Sequence, residues 1–424
     1  MFDIGSNLIR KDMKKWLFMF SMASASAQAP VYLNLGSHNE INDPLHYNTV
    51  YIDYESTKTR LLEIADTVAH YGARWNMQVE SNFIRGCVAF DTARTNPNNF
   101  LNWADAQTYI EVDPHNHFIL PFVNPYNPTD LNCLLVDSCL LGTPRKNLGG
   151  FIWRDFTSPP CTTDMAENWS HYNTGSENGN KFPGQTWRPT VLWGGGSPSH
   201  CEDANTLGIW KPQDATSANF YTHTPGNYEV VIGSNCGDNY VIFDTSDVNH
   251  VIQHVADVVN YAQVYGNDSS DFYTITVMFN FRDLTSAGMI DKISAFIRGM
   301  ETYQNQGKVI WATLTEKYDT WYATHTNDEK FIKQCTDMNL GDELIDISPM
   351  VTVFPNPADD RIQIRFPYEY QEAGYEIISL SGQVMATGGV SGNVIVTSGL
   401  GGGLYFLRLT VDGNVAIKKI LVQH

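Results

Sequence analysis

Asp105-Ala-Gln-Thr-Tyr-Ile-Glu-Val-Asp-Pro-His-Asn-His117 closes a short helix read over 100–106, runs through an apolar, β-branched strand at 108–112, and breaks at a proline into two histidines. A strand that follows a helix and ends in titratable side chains is the repeating unit of an α/β protein, whose site gathers at the strand C-terminal ends. The unit recurs on both sides. Upstream, Val31-Tyr-Leu-Asn-Leu35 reads as a buried strand, and 57–70 carries helical periodicity (Leu61, Leu62, Ile64, Ala65, Val68, Ala69) that closes at Tyr71-Gly72. Trp75-Asn-Met-Gln-Val79 reads as the next strand. Downstream, strands are read at 149–153, 228–232, 272–279 and 308–314, with helices over 248–265 and 289–304. Alternation of this kind implies parallel strands with right-handed crossovers, and a body of residues 29–346 suits one large α/β barrel. The stretch 156–217 is rich in Gly, Pro, Asn and Ser and reads as irregular loop over the barrel mouth.

The residues after each strand form a constellation. Strand one ends in Ser37-His38-Asn39-Glu40, strand two in Glu80, and strand three in Asp113-Pro114-His115-Asn116-His117. The next gives Trp153-Arg154-Asp155, and the last two give Arg282-Asp283 and Thr315-Glu316. His115 and His117, two apart on extended backbone, project to one face, and Glu40 or Asp43 can complete a two-His, one-carboxylate set with a position left for water. A lone His-x-His is a weak signal. Here His38, Glu40, His115 and His117 fall at the same end of successive strands, with His200 in the loops above, and the donor types suit a divalent metal, zinc first. Such a site implies metal-assisted hydrolysis, with Glu40, Glu80 or Asp113 as base and His200 or His38 as acid. Trp153, Trp187, Trp193 and Trp210 are candidates for stacking on sugar rings, and Arg154, Asp283 and Glu316 for lining the pocket.

The C-terminal stretch has a different grammar. Val351-Thr-Val-Phe-Pro-Asn-Pro-Ala-Asp-Asp360 is a strand stopped by two prolines, and Arg361-Ile-Gln-Ile-Arg-Phe366 alternates with period two. Two apolar runs flank Asp412-Gly413 as a hairpin. Short strands at regular spacing make a small all-β, immunoglobulin-like sandwich. At the other end, Lys14-Lys15, the apolar run 16–22 and Ala23-Ser-Ala-Ser-Ala-Gln-Ala29 have the parts of a secretory signal peptide, with Met13 as a candidate initiator. No stretch is apolar enough for a membrane span. A net charge of -19 argues against nucleic acid as a partner. Seven cysteines in an exported chain permit disulfides and leave at least one odd, with Cys133–Cys139 and Cys161–Cys201 as the short-loop pairs and Cys87 and Cys335 open between bonded and free buried thiols.

Two resemblances follow from these residues. Phe354-Pro-Asn-Pro-Ala358, Ile378-Ser-Leu-Ser-Gly-Gln-Val384, Gly403-Leu-Tyr-Phe-Leu-Arg408 and Lys418-Lys-Ile-Leu-Val422 resemble the type A C-terminal sorting domain of the type IX secretion system. The resemblance implies delivery by that machinery to the outer cell surface or beyond. Ala73-Arg-Trp-Asn-Met-Gln-Val79, the stretch 105–117, Trp187-Arg-Pro-Thr-Val-Leu-Trp-Gly-Gly-Gly196 and Gly307-Lys-Val-Ile-Trp-Ala-Thr-Leu314 are similar to the polysaccharide deacetylase family. That similarity implies a (β/α)7-type barrel, with His115 and His117 as metal ligands and a polysaccharide or other glycan as substrate. Departures are visible: Ser37-His38-Asn39-Glu40 stands where the family has a pair of aspartates, and the histidines are two apart instead of four. The organisation expected is therefore a signal peptide at 1–28, a deacetylase-like barrel at 29–346 and a sorting domain at 347–424. A glycosidase on the same barrel, using Glu80 with Asp283 or Glu316, and a non-catalytic surface glycan-binding protein are the alternatives. Calcium-loop, P-loop, Gly-x-Ser-x-Gly and His-Glu-x-x-His patterns are absent.

Overall fold

The computed structural model describes residues 28–41, 43–91, 99–116, 126–150, 175, 181–194, 205–214, 219–236, 240–266, 270–325, 329–338, 348, 351–366, 373–380, 383–390, 392–411 and 414–423. The chain divides into two compact units, Met1–Met338 and Asn339–His424. Of the signal peptide expected at 1–28, residues 1–27 lie outside the described residues.

The first unit alternates strand and helix. Its elements begin with β1 (Val31–His38), α1 (Tyr51–Tyr71), β2 (Trp75–Val79), α2 (Ser81–Phe90), α3 (Phe100–Asp105), β3 (Ile110–Pro114), α4 (Pro128–Cys133), β4 (Asn147–Gly149), β5 (Val191–Trp193), β6 (Asn205–Trp210) and β7 (Val230–Cys236). They continue with α5 (Val248–Tyr265), β8 (Tyr273–Asn280), α6 (Met289–Gly299), α7 (Glu301–Asn305), β9 (Val309–Trp311), α8 (Leu314–Thr324), β10 (Phe331–Gln334) and α9 (Cys335–Met338). One sheet is all-parallel in the order β3-β2-β1-β8, with β9 pairing the first three residues of β1. The second runs β10-β6-β7-β5-β4, with β4, β5 and β7 parallel and β6 and β10 antiparallel. A parallel bridge between His115 and Gly149 joins the sheets on one side. On the other, the Thr274 hydroxyl donates to the Gly233 carbonyl at 2.7 Å and accepts the Gly208 N–H at 2.8 Å. All residues of β2 and β8 are buried, as expected of parallel strands covered on both faces. Helix α1 buries Leu61, Ile64, Ala65 and Val68 and ends at Gly72, whose φ of 66° is the left-handed cap.

Several sequence expectations are corrected. The stretch 156–217 is not uniformly irregular, because β5 and β6 lie within it; each is a short buried run masked by Gly- and Pro-rich flanks. The helix over 289–304 breaks at Met300 into α6 and α7. The last strand is only Val309–Trp311, and α8 starts at Leu314 because Thr313 and Glu316 form a capping box. Cys133 and Cys139 are not bonded to each other: six residues apart along a helical segment, they project to different sides. Cys335 is bonded to Cys236, a pairing across 99 residues that ties the end of β7 to the start of α9. Cys161 and Cys201 lie outside the described residues.

The second unit is all-β. Its strands are β11 (Thr352–Phe354), β12 (Arg361–Arg365), β13 (Ala373–Ser379), β14 (Val384–Gly389), β15 (Val394–Val396), β16 (Gly403–Val411) and β17 (Asn414–Val422). Two antiparallel sheets, β11-β12-β15 and β14-β13-β16-β17, share one core in which Ile362, Ile364 and Ile395 meet Ile377, Leu407, Leu409 and Ile420. The alternation read at 361–365 is realised, with Arg361, Gln363 and Arg365 outward. β16 and β17 pair antiparallel up to Val411 and Asn414; the Asp412-Gly413 turn itself lies outside the described residues.

Candidate metal centre

Strand register places the cluster. His38 is the last residue of β1 and stands opposite Gln78 of β2, while Gln78 stands opposite Asp113 of β3, so His38 and the outgoing His115 converge across the middle strand. Their rings lie 4.3 Å apart at 36°. Glu40 reaches back so that its Oε1 is 3.3 Å from His38 Nε2 and 3.6 Å from His115 Nε2. One donor atom from each of the three falls within 4.8 Å of the others. Donors about 2.1 Å from a common ion at tetrahedral angles stand roughly 3.4 Å apart, so two imidazoles and a carboxylate at these separations fit a divalent ion. His115 is fully buried and Glu40 is 18% exposed, which puts the open side of the cluster over the carboxylate.

The surroundings hold these donors in place. His115 Nδ1 is 3.2 Å from the Gln78 amide oxygen, an acceptor, so Nδ1 is the donating nitrogen and Nε2 is the one turned to Glu40. Gly149 and Gly150 make the room. A Cβ on Gly149 would fall 1.7 Å from Gln78 Oε1, and one on Gly150, at φ +74°, would fall 2.6 Å from the His115 ring. The Asn82 side chain donates to the Glu40 carbonyl at 2.9 Å, and the Glu40 N–H donates to Asp43 Oδ2 at 3.0 Å. Asp43, the other carboxylate considered for the ligand set, therefore braces the Glu40 turn. Burial pushes its carboxyl up to about 7, against the opposing pull of the Glu40 N–H. Gln78, Gly149 and Gly150 escaped the sequence reading. The Gly149-Gly150 pair at a strand end was the one visible signal.

The other candidates are dispersed. Glu80 is buried at the N-terminus of α2, where its carboxylate accepts the Ser81 N–H at 3.0 Å. Asp113 sits one pleat below His115, accepting from Asn76 and Asn147 at 3.1 Å each; burial and the nearby Glu111 hold its carboxyl well above the usual range. Asp283 lies in a 3-10 turn (Phe281–Thr285) after β8, raised by burial and touched by the Asn280 amide at 3.5 Å. Glu316 belongs to the far end: β9 pairs the beginning of β1, so Trp311 is level with Leu33, about 16 Å of strand before His38. There it caps α8 and pairs with Arg74. Trp187 and Trp193 are buried, and so is Trp210. The Trp187 indole donates to the Arg145 carbonyl at 2.8 Å, and a Cβ on Gly36 would fall 2.6 Å from the Trp193 ring. None of the three offers an open face for a sugar. His117, Trp153, Arg154 and His200 lie outside the described residues.

Comparison with known proteins bears on the second unit. Residues 352–423 match the family model described as "Secretion system C-terminal sorting domain", as the motifs at 354–422 led us to expect. The chain is thus exported by type IX secretion to the cell surface or the extracellular space. Among the described residues no helix is long and apolar enough to cross a membrane. No curated protein matches the sequence. Among solved structures, the chain is similar to "Puue Allantoinase" at 11% identity and a TM-score of 0.43, covering 70% of this chain and 92% of that one. It is similar to a "probable Polysaccharide deacetylase from Pseudomonas aeruginosa PAO1" at 12% identity and a TM-score of 0.42, with 70% and 92% covered. A 4-alpha-glucanotransferase from Thermococcus litoralis aligns at 9% identity and a TM-score of 0.43, with 70% and 41% covered.

Proposed function

We propose that the first unit is a secreted, metal-dependent hydrolase of carbohydrate, deacetylase-like in removing acyl groups from a polysaccharide, on a strand-and-helix body closed as a (β/α)7-type barrel. The observation that carries this reading is the convergence of His38, Glu40 and His115 at one strand end with ligand spacing. His38 and His115 would hold the ion through Nε2 and Glu40 through a carboxylate oxygen. A bound divalent ion supplies Lewis acidity to a hydrolytic water and to the acyl oxygen. The chain's own part is orientation. Gln78 fixes the His115 tautomer, and Asn82 and Asp43 hold the Glu40 turn. Gln78 is buried beside the fully buried His115 ring, so the side of the cluster open to water is the one over the part-exposed Glu40. The second unit is proposed as an immunoglobulin-like sandwich that serves export alone.

The test is metal analysis of the purified protein beside His38→Ala/His115→Ala. Near one equivalent of zinc or a similar ion, lost in the variant, followed by acetate release from acetylated glycans, is the expected result. A metal-free wild-type protein that takes up no zinc on titration would overturn it.

A further inference from the structure

Two thiols that the proposed hydrolase does not use meet in the core of the first unit. Cys87 lies on α2 and Cys139 follows a π-helical turn (Leu134–Ser138); both are fully buried. A single carboxamide touches both residues. Asn99 Oδ1 accepts the Cys87 thiol at 3.3 Å, and Asn99 Nδ2 donates to the Cys139 carbonyl at 3.1 Å. The two side chains are near enough to shift each other's titration in opposite directions. Hydrogen bonding to Cys87 and burial push the Cys139 thiol up. Cys87 is held lower despite its own burial by its interactions with the Cys139 side chain, the Leu101 backbone and the Tyr54 side chain. The same unit already carries the Cys236–Cys335 disulfide, and the sorting domain takes the chain out of the reducing cytoplasm.

We propose that Cys87 and Cys139 form a second disulfide in the exported protein, clamping α2 to the segment after α4. The oxidant is the disulfide of a thiol–disulfide oxidoreductase in the oxidising compartment. One S–S bond forms between Cys87 and Cys139 as the donor's S–S bond breaks, and the two protons and two electrons leave as two donor thiols. Both sulfurs are enclosed once α2 is docked, so exchange takes place before the core closes. The clamp bears on the metal centre indirectly, because α2 carries Asn82, which holds the Glu40 carbonyl.

The full chain, produced with export to an oxidising compartment, is denatured without reductant in the presence of an alkylating agent, digested, and mapped by mass spectrometry. The expected result is one peptide containing Cys87 covalently joined to one containing Cys139 and separated by reduction. Recovery of either residue in alkylated form, or of Cys139 joined to Cys133, overturns the proposal. The map does not depend on metal or on hydrolysis, so its outcome is independent of the proposed function.

Discussion

A buried imidazole can present either nitrogen to an ion, and for His115 the choice rests on Gln78. Its amide oxygen lies 3.2 Å from Nδ1, and the fit depends on two glycines that leave no side chain in the way. Gln78→Leu keeps the bulk and removes the acceptor, so metal affinity is expected to fall about 10–100-fold with all three donors intact. Competition against a chelating dye measures this, and an unchanged affinity would deny Gln78 its orienting role. Gly150→Ala meets the ring directly, and its φ of +74° disfavours any Cβ, so it should weaken metal binding and also lower thermal stability. A Gly150→Ala protein with wild-type affinity and melting temperature would show that the ring is not packed against residue 150. At this scale the sequence displays donors better than supports. His38, Glu40 and His115 were legible because they are titratable residues at strand ends. Gln78 was not, because an amide within an apolar strand acquires its role only from the neighbour that register brings beside it.

Helix α8 shows the same division between what pattern reveals and what packing decides. Its first turn enters the strand N-terminal end of the first unit, where Lys317 is fully buried and donates to Asn34 Oδ1 at 2.5 Å and the Ile275 carbonyl at 2.8 Å. The Leu314 N–H reaches Asn76 and the Thr315 N–H reaches Glu111. The sequence reading carried the preceding strand on to residue 314; the Thr313/Glu316 capping box overrides it. Helix α2 was missed for a related reason, as its N-cap Glu80 looked like chemistry at a strand end. The long helices α1 and α5 were legible from periodicity alone, since each has an apolar stripe over several turns. Burial holds the Lys317 amine well below its ordinary value of about 10.4. Between the depressed and the ordinary value, the unfolded chain binds a proton that the folded chain does not, so stability falls as pH drops through that window. Lys317→Met removes the group at similar volume, and Asn34 Oδ1 keeps the Thr276 hydroxyl at 2.8 Å. Urea unfolding at pH 7 and pH 9 should show wild type more stable at the higher pH and the variant with a flatter response. Equal slopes would mean that Lys317 keeps its ordinary pKa.

At the scale of the whole molecule, the candidate metal cluster and the export address lie in separate units, each with its own core. The donors, the long-range disulfide and the buried thiol pair all fall within Met1–Met338, while residues 352–423 form the sorting domain around its own cluster of Ile, Leu and Val. The sorting domain was legible because its four motifs keep their order and its strands alternate cleanly. The composition of the first unit's second sheet hid its strands among glycines and prolines. Separate cores predict separable functions. A chain ending at Met338 should fold, bind metal as the full chain does, and melt at the same temperature after purification. In a host with type IX secretion it should stop inside the envelope while the full chain reaches the surface or the medium. Cell fractionation with metal analysis of each fraction checks both parts at once. A truncated protein found outside the cell at full-length levels would place the export signal in the first unit, and one that fails to fold would show that its core needs the second.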